Sequence, residues 1–192
     1  MRGTDFSSRW TAADARAQRP TGRRTVEAIP VAQLIGPAIV LDVADAAARD
    51  PDHAVSAAEI ESGETDHGRI EPGSIVLVRT GWSRHWPDRK RYLGSDVPGD
   101  VEHLHFPGLA RDAAELLVAR RVDAVGIDTA SLDPGTSRDF IAHRILNGAE
   151  IYGLENEARL EALPPRGALV LALPMKIAEG SGAPVRVVAV LP

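Results

Sequence analysis

PGLARDAAELLVARRVDAVGID, residues 107–128, carries two periodicities end to end. After a Pro-Gly start, Leu109, Ala113, Leu116 and Leu117 fall on one face at the spacing of an amphipathic helix. The closing VDAVGID is instead a short apolar run of the kind that forms a buried strand. A helix that feeds directly into such a strand is the building unit of an α/β domain, so this stretch sets the predicted class.

The same alternation continues on both sides. PAIVLDV, Pro37 to Val43, reads as a strand, and TVEAIP before it as an extended lead-in. SAAEIES opens on the N-cap serine Ser56 and continues in helix formers, and EPGSIVLVRTG turns into a strand from Ile75 to Arg79. Downstream come a short helix around FIAHRILN, a strand near Ala149 to Tyr152, a helix across NEARLEAL, and the strands ALVLALP and VRVVAVLP. The apolar runs predict strands covered on both faces. With 192 residues and no internal repeat, one domain around a mixed sheet flanked by helices is the expectation.

Composition narrows the function. The chain is 44% hydrophobic but only 4% aromatic, which suits an interior of small aliphatic side chains. A net charge of −5, mixed along most of the chain, supplies no basic stripe for phosphates, so nucleic acid is excluded as a partner. No apolar run approaches a membrane span and no signal-peptide core precedes the domain, which points to a cytoplasmic location. The absence of cysteine leaves His, Asp and Glu for any metal chemistry.

The sharpest pair stands in HRILNGAEIYGLE, where His143 and Glu155 bracket an apolar segment. Both side chains are metal ligands, and both are costly to bury alone. From spacing alone, a satisfied core or surface histidine is the commoner reading of His143. His103 and His105 in EHLHFPG alternate as strand neighbours do, which would place both imidazoles on one side for a two-His site. Asp128 and Asp133 in GIDTASLDPG follow a predicted strand, where sites of α/β sheets gather, although turn formation explains them too. GSGAP from Gly180 has the glycines of an anion cradle without the strand and helix that would frame one. The long polar segment after Gly81 reads as a lid, and its Trp82, Trp86 and Tyr92 as flat walls for an aryl substrate.

GRRTVEAIP, IGPAIVLDV, GSIVLVRTGWS, HFPGLARDAAELL, VDAVGIDTASLDPG, AHRILNGAEIYGLEN and LPMKIAEGSGAPVRVVA occur in this order from Gly22 onward. In these stretches the chain resembles the cyclase family of metal-dependent hydrolases, whose members include kynurenine formamidases (arylformamidases) and isatin hydrolases. The resemblance implies an α/β fold, a homodimer or higher oligomer, and a divalent metal, Zn or Mn. It implies hydrolysis of a small aryl or cyclic amide such as N-formylkynurenine, an intermediate of tryptophan catabolism. It also implies that His143 and Glu155 are metal ligands.

The family's N-terminal motif, H-x-G-T-H-x-D-x-P-x-H, is degraded here to RGTDFSSRWT. Gly3 and Thr4 align, but Asp5 stands where a His belongs, Ser7 where the Asp belongs and Thr11 where the last His belongs. Of these only Asp5 retains a metal-binding side chain, and the proton-shuttling histidine has no counterpart. Residues 1–21 are Arg-rich and aperiodic, unlike 22–192, and read as a segment not native to the fold. Three readings stay open on this ground. The chain is a hydrolase that completes its site with Asp5, His103, His105 or a second subunit; it is a non-catalytic descendant with a binding role; or its first residues come from an altered start or reading frame.

Overall fold

Along Ile75–Arg79, Ile75 and Leu77 face one side of the strand and Val76 and Val78 the other, and all four are almost wholly buried. A strand this apolar on both faces belongs at the centre of a sheet, and that is its position in the computed structural model, which describes residues 24–192. The strands are β1 (Ile35–Asp42), β2 (Ala54–Val55), β3 (Ile75–Arg79), β4 (Gly108–Leu109), β5 (Ala124–Ile127), β6 (Tyr152–Leu154), β7 (Arg166–Ala172) and β8 (Val187–Val190). Six of them form a curled mixed sheet in the order β6-β5-β3-β1-β7-β8. The first four in that order are parallel, while β7 and β8 join antiparallel. β2 and β4 make a separate two-stranded pair.

Helices Ala57–His67, Arg111–Arg120 and Ile141–Gly148 cover one face of the parallel strands. Their Ile60, Leu117 and Leu146 pack with Ile39, Leu41, Val76, Val78, Val125 and Ile127 in one core. Fully burying each such side chain contributes about 1.5–3 kcal/mol. The opposite face carries a second core, in which Val40, Leu77 and Leu154 meet Ala168 and Val170 of the curling β7. Ser56 starts the first helix with a capping box: its hydroxyl accepts from the Glu59 amide and the Glu59 carboxylate accepts from the Ser56 amide. Arg120 then ties this helix to the next, donating to both oxygens of Glu64 at 2.7 and 2.6 Å.

Several expectations need correction. Coverage on both faces holds for β1, β3 and β5 but not for the antiparallel half, where Leu169, Val188 and Val190 are about half exposed on the outward face. TVEAIP is not extended: Val26–Ala28 forms a 3₁₀ turn. The strand expected near Ala149 to Tyr152 lies at Tyr152–Leu154, because Ala149 and Glu150 are spent closing the preceding helix. NEARLEAL forms no α-helix; Asn156 and Arg159 have positive φ of 59° and 62°, leaving only a 3₁₀ turn at Leu160–Ala162. The segment after Gly81 is not an open loop. It folds into a 3₁₀ turn at Trp82–His85 and a helix at Arg89–Leu93, capped by Asp88. The expected boundary between residues 1–21 and the rest lies outside the described residues.

Candidate metal site

The site forms at the carboxyl ends of two adjacent parallel strands, β5 and β6, where open α/β sheets gather their ligands. Glu155 is the first residue beyond β6. The chain leaving β5 runs through residues 128–140 to the helix Ile141–Gly148, which returns to β6 and carries His143 on its buried face. Sequence spacing had separated the two side chains by a helix and a turn; the crossover folds them together. His143 Nε2 and Glu155 Oε1 lie 3.1 Å apart. Glu155 Oε1 is steadied by the Leu132 amide, which donates to it at 3.1 Å.

A third group reaches the same imidazole from behind. Asp133 is fully buried, and its Oδ2 accepts from His143 Nδ1 at 2.6 Å. Its two oxygens also accept from the backbone amides of Ala142, at 2.7 Å, and His143, at 3.2 Å. Those amides belong to the first turn of the helix, whose N-cap Phe140 has a left-handed backbone and caps nothing with its own side chain. Asp133 therefore caps the helix from a distant loop, where the positive end of the helix dipole favours a carboxylate. Its placement depends on close backbone approach. A Cβ on Gly108 would lie 2.2 Å from the Pro134 nitrogen, and one on Gly135 would lie 2.7 Å from the Leu104 carbonyl carbon. The bonds from Leu109 N to Leu132 O and from Gly135 N to Phe106 O, at 2.7 and 2.9 Å, then lock the two loops together.

Electrostatics follow from this packing. Burial alone would lower the pKa of His143, but hydrogen bonds and charge from Asp133 and Glu155 outweigh it and raise the value to about 9. Without a metal the imidazole is thus an imidazolium held between two carboxylates at neutral pH. Glu157, two residues beyond Glu155, is pushed by burial up to about 7.

His143 and Glu155 open onto a cavity of about 670 Å³. Val26, Ile29, Leu34, Tyr152, Leu154 and Val185 supply apolar wall, and Asn147 and Asn156 supply polar groups. Ser181 to Pro184, the core of the GSGAP loop, form part of its rim. Arg24 also lines it, paired with Glu150 at 2.7 Å.

The other candidates lie elsewhere. His103 and His105 do not form a two-His site: their segment is not a strand, His103 pairs with Asp100 at 3.0 Å, and His105 pairs with Asp52 at 2.8 Å. Asp128 is buried and accepts from the Thr80 amide and hydroxyl at 2.8 and 2.6 Å, a structural role. Trp82 and Tyr92 are buried in a small cluster with Phe106, and half-exposed Trp86 stacks edge-on against Tyr92 at 5.5 Å. None of the three aromatic residues lines the cavity at His143. Asp5 lies outside the described residues. Among the described residues no cluster of three or more His, Asp or Glu converges on one ion position. The geometry explains this, since Asp133 occupies the opposite nitrogen of the ring and only His143 Nε2 and Glu155 face each other.

With that geometry in place, comparison with known proteins gives a family. The family model Cyclase, described as "Putative cyclase", matches residues 9–134. The chain belongs to the cyclase family. It is 34% identical over 170 residues to an isatin hydrolase of Roseibium aggregatum, covering 86% of this chain and 63% of that protein. It is 30% identical over 158 residues to a kynurenine formamidase of Sphingopyxis alaskensis, covering 82% and 64%. The cyclase chain thus spans a little under two-thirds of the length of these relatives. Its fold is similar to the solved isatin hydrolase A from Ralstonia solanacearum, with a TM-score of 0.84 and 33% identity over 92% of this chain and 68% of that one. A further structure, described as a potential metal-dependent hydrolase with cyclase activity, matches with a TM-score of 0.65 and 26% identity, covering 88% and 72%. Among the described residues no helix is long and apolar enough to cross a membrane.

The donor chemistry fits a divalent ion in part. One imidazole nitrogen and one carboxylate oxygen, spaced as neighbouring ligands are, match the ligand types of zinc or manganese sites, but a catalytic site normally has three protein ligands. Sequence reasoning named both of these residues as candidate ligands, and the fold brings them together. What it missed is Asp133 as the partner of His143; the available signal was its position in the DPG turn at the carboxyl end of β5, ten residues before the histidine.

Proposed function

We propose that this cyclase is a metal-dependent hydrolase of a small aryl or cyclic amide, arylformamidase-like or isatin-hydrolase-like, acting in the cavity in front of His143 and Glu155. The observation that carries this reading is the 3.1 Å approach of His143 Nε2 and Glu155 Oε1 at the floor of a cavity wide enough for a two-ring substrate. When bound, a divalent ion, zinc or manganese, supplies Lewis-acid polarisation of the amide carbonyl and lowers the pKa of water. The chain's own residues do the rest. His143 and Glu155 would hold the ion, the Leu132 amide fixes Glu155, and the apolar walls would seat a flat substrate. The proton shuttle has no occupant among the described residues, and neither does a third ligand. Asp5 or a residue of a second copy in a homodimer would complete the set.

That shortfall motivates a second reading, in which the chain keeps the fold as a non-catalytic binding subunit. If nothing outside the described residues completes the set, activity is expected to be weak, since two protein ligands hold an ion poorly and the loss of an acid/base group costs about 10²–10⁴ in rate. The experiment is metal analysis after dialysis against Zn²⁺ or Mn²⁺, with turnover of N-formylkynurenine and isatin measured on the same samples. Expected are metal uptake that is lost in His143→Ala and Glu155→Ala, and turnover far below the roughly 10 s⁻¹ of a median enzyme. Wild-type protein that takes up neither metal would sink the enzyme reading in favour of the binding subunit. Turnover at the ordinary rate would show the site to be complete and the impairment argument wrong.

A further inference from the structure

We propose that Asp133 is a positioning residue of the site: its carboxylate holds the Nδ1–H of His143 and so aims Nε2, unprotonated in the neutral ring, at Glu155 and the cavity. A histidine can present either nitrogen to a ligand, and the one left free is decided by what the other is bonded to. Here Oδ2 of Asp133 lies 2.6 Å from Nδ1 while Oε1 of Glu155 lies 3.1 Å from Nε2, so when the ring keeps a single proton the shorter contact to the fully buried carboxylate holds it. The carboxylate cannot swing away to relax that demand. It is fully buried and also holds the amides of Ala142 and His143. The same two oxygens therefore fix the backbone that carries the ring and the ring itself.

An asparagine at this position cannot reproduce the arrangement. Three N–H groups converge on the two oxygens, so an amide that offers its oxygen to Nδ1 turns its NH₂ toward the Ala142 amide, donor against donor. If the amide turns the other way, its NH₂ faces Nδ1, which must then be the unprotonated nitrogen, and the proton moves to Nε2. In that second orientation the NH₂ also meets the His143 amide, so the variant either moves the ring proton to Nε2 or keeps Nδ1–H with the Ala142 amide opposed.

The metal consequence of this inference rests on the function proposed above; the tautomer does not. The test uses the full chain with ¹⁵N-labelled histidine, wild type and Asp133→Asn, read by NMR without metal along a pH series carried up to where the ring signals show it to be neutral. Wild type is expected to show the Nδ1–H tautomer and Asp133→Asn a shift toward Nε2–H, which a purely structural role in capping the helix would not produce. Zn²⁺ and Mn²⁺ affinities, measured by chelator competition, are expected to fall about 10–100-fold in the variant. Wild-type protein with the Nε2–H tautomer would overturn the proposal, and needs no variant that folds. An unchanged tautomer together with unchanged Zn²⁺ affinity in Asp133→Asn would overturn it as well. If the tautomer shifts as expected but wild type takes up no metal, the positioning role stands and the metal reading of the site falls.

Discussion

In the absence of metal the stability of this protein is expected to fall with rising pH between about 6.5 and 9. The cause is His143. In the unfolded chain the imidazole titrates near 6.5, while in the fold Asp133 and Glu155 raise it to about 9. A group raised on folding adds stability that is fully present below the unfolded value and is lost as pH climbs through the folded one. The rise from near 6.5 to about 9 is worth on the order of 3 kcal/mol across that window. Because the ring is buried, solvent screening does not erode that figure much, and it is a sizeable part of the about 5–15 kcal/mol that holds a domain folded. Glu157, held near 7 by burial, also loses stability with rising pH but completes its change lower, so the stretch from 7.5 to 9 isolates the histidine. Urea unfolding in chelator at half-unit steps, on wild type and His143→Gln, measures the difference directly. A difference between the two proteins that stays flat, or grows with pH, would refute the imidazolium picture of the metal-free site.

Other perturbations test neighbouring parts of the argument. Since a proton and a divalent ion compete for the same Nε2, apparent Zn²⁺ affinity is expected to rise about tenfold per pH unit up to about 9 and then level, as titrations at fixed ionic strength would show. Glu64→Gln, which leaves Arg120 without its carboxylate at 2.6 and 2.7 Å, is expected to cost about 1–3 kcal/mol in urea unfolding at neutral pH. Arg120 holds the Glu64 carboxyl below its usual range, so this contribution is present above about pH 4.5 and is lost as pH falls through the lowered value. Leu146→Ala, in the fully buried face of the helix that carries His143, is expected to cost about 2–5 kcal/mol in the same assay. Gly108→Ala would drive a Cβ to 2.2 Å from Pro134 N; it is expected to unseat the Asp133 loop and to lower metal affinity, as read by chelator competition, more than helix content, as read by circular dichroism.

The α/β class was legible because its evidence is local. A run such as Ile75–Arg79 shows its own burial in its composition, and Ser56 with Glu59 writes the start of a helix in four residues. Where the expectation failed, the deciding interaction was distant or the backbone left the ordinary regions. NEARLEAL has good helix formers, yet Asn156 and Arg159 take left-handed conformations, and the amides of Asn156 and Glu157 donate to Thr129 and Ile127 at the end of β5. Backbone bonds to the loop leaving β5 override a propensity of a few tenths of a kcal/mol per residue. The outward face of β7 and β8 failed for a related reason. Apolar alternation shows which residues share a face, not whether anything covers it, and Leu169 and Val190 pair across the strands on a side that the helices do not reach.

The site divides along the same line. His143 and Glu155 were found by resemblance, through a spacing of twelve residues that the crossover between β5 and β6 converts into 3.1 Å. Asp133 had equal chemical standing in the sequence but no periodicity or motif to separate it from a turn-forming aspartate. Its importance comes from three N–H groups that the fold delivers to one carboxylate, and from two glycines that let the loops touch. The aromatic residues show the converse. Trp82 and Tyr92 resembled substrate walls because nothing local revealed their burial; the fold satisfies the Trp82 indole on the Tyr92 carbonyl at 2.8 Å and encloses both rings with Phe106. A polar side chain in a short motif gains its function from what converges on it, and convergence is a property of the fold.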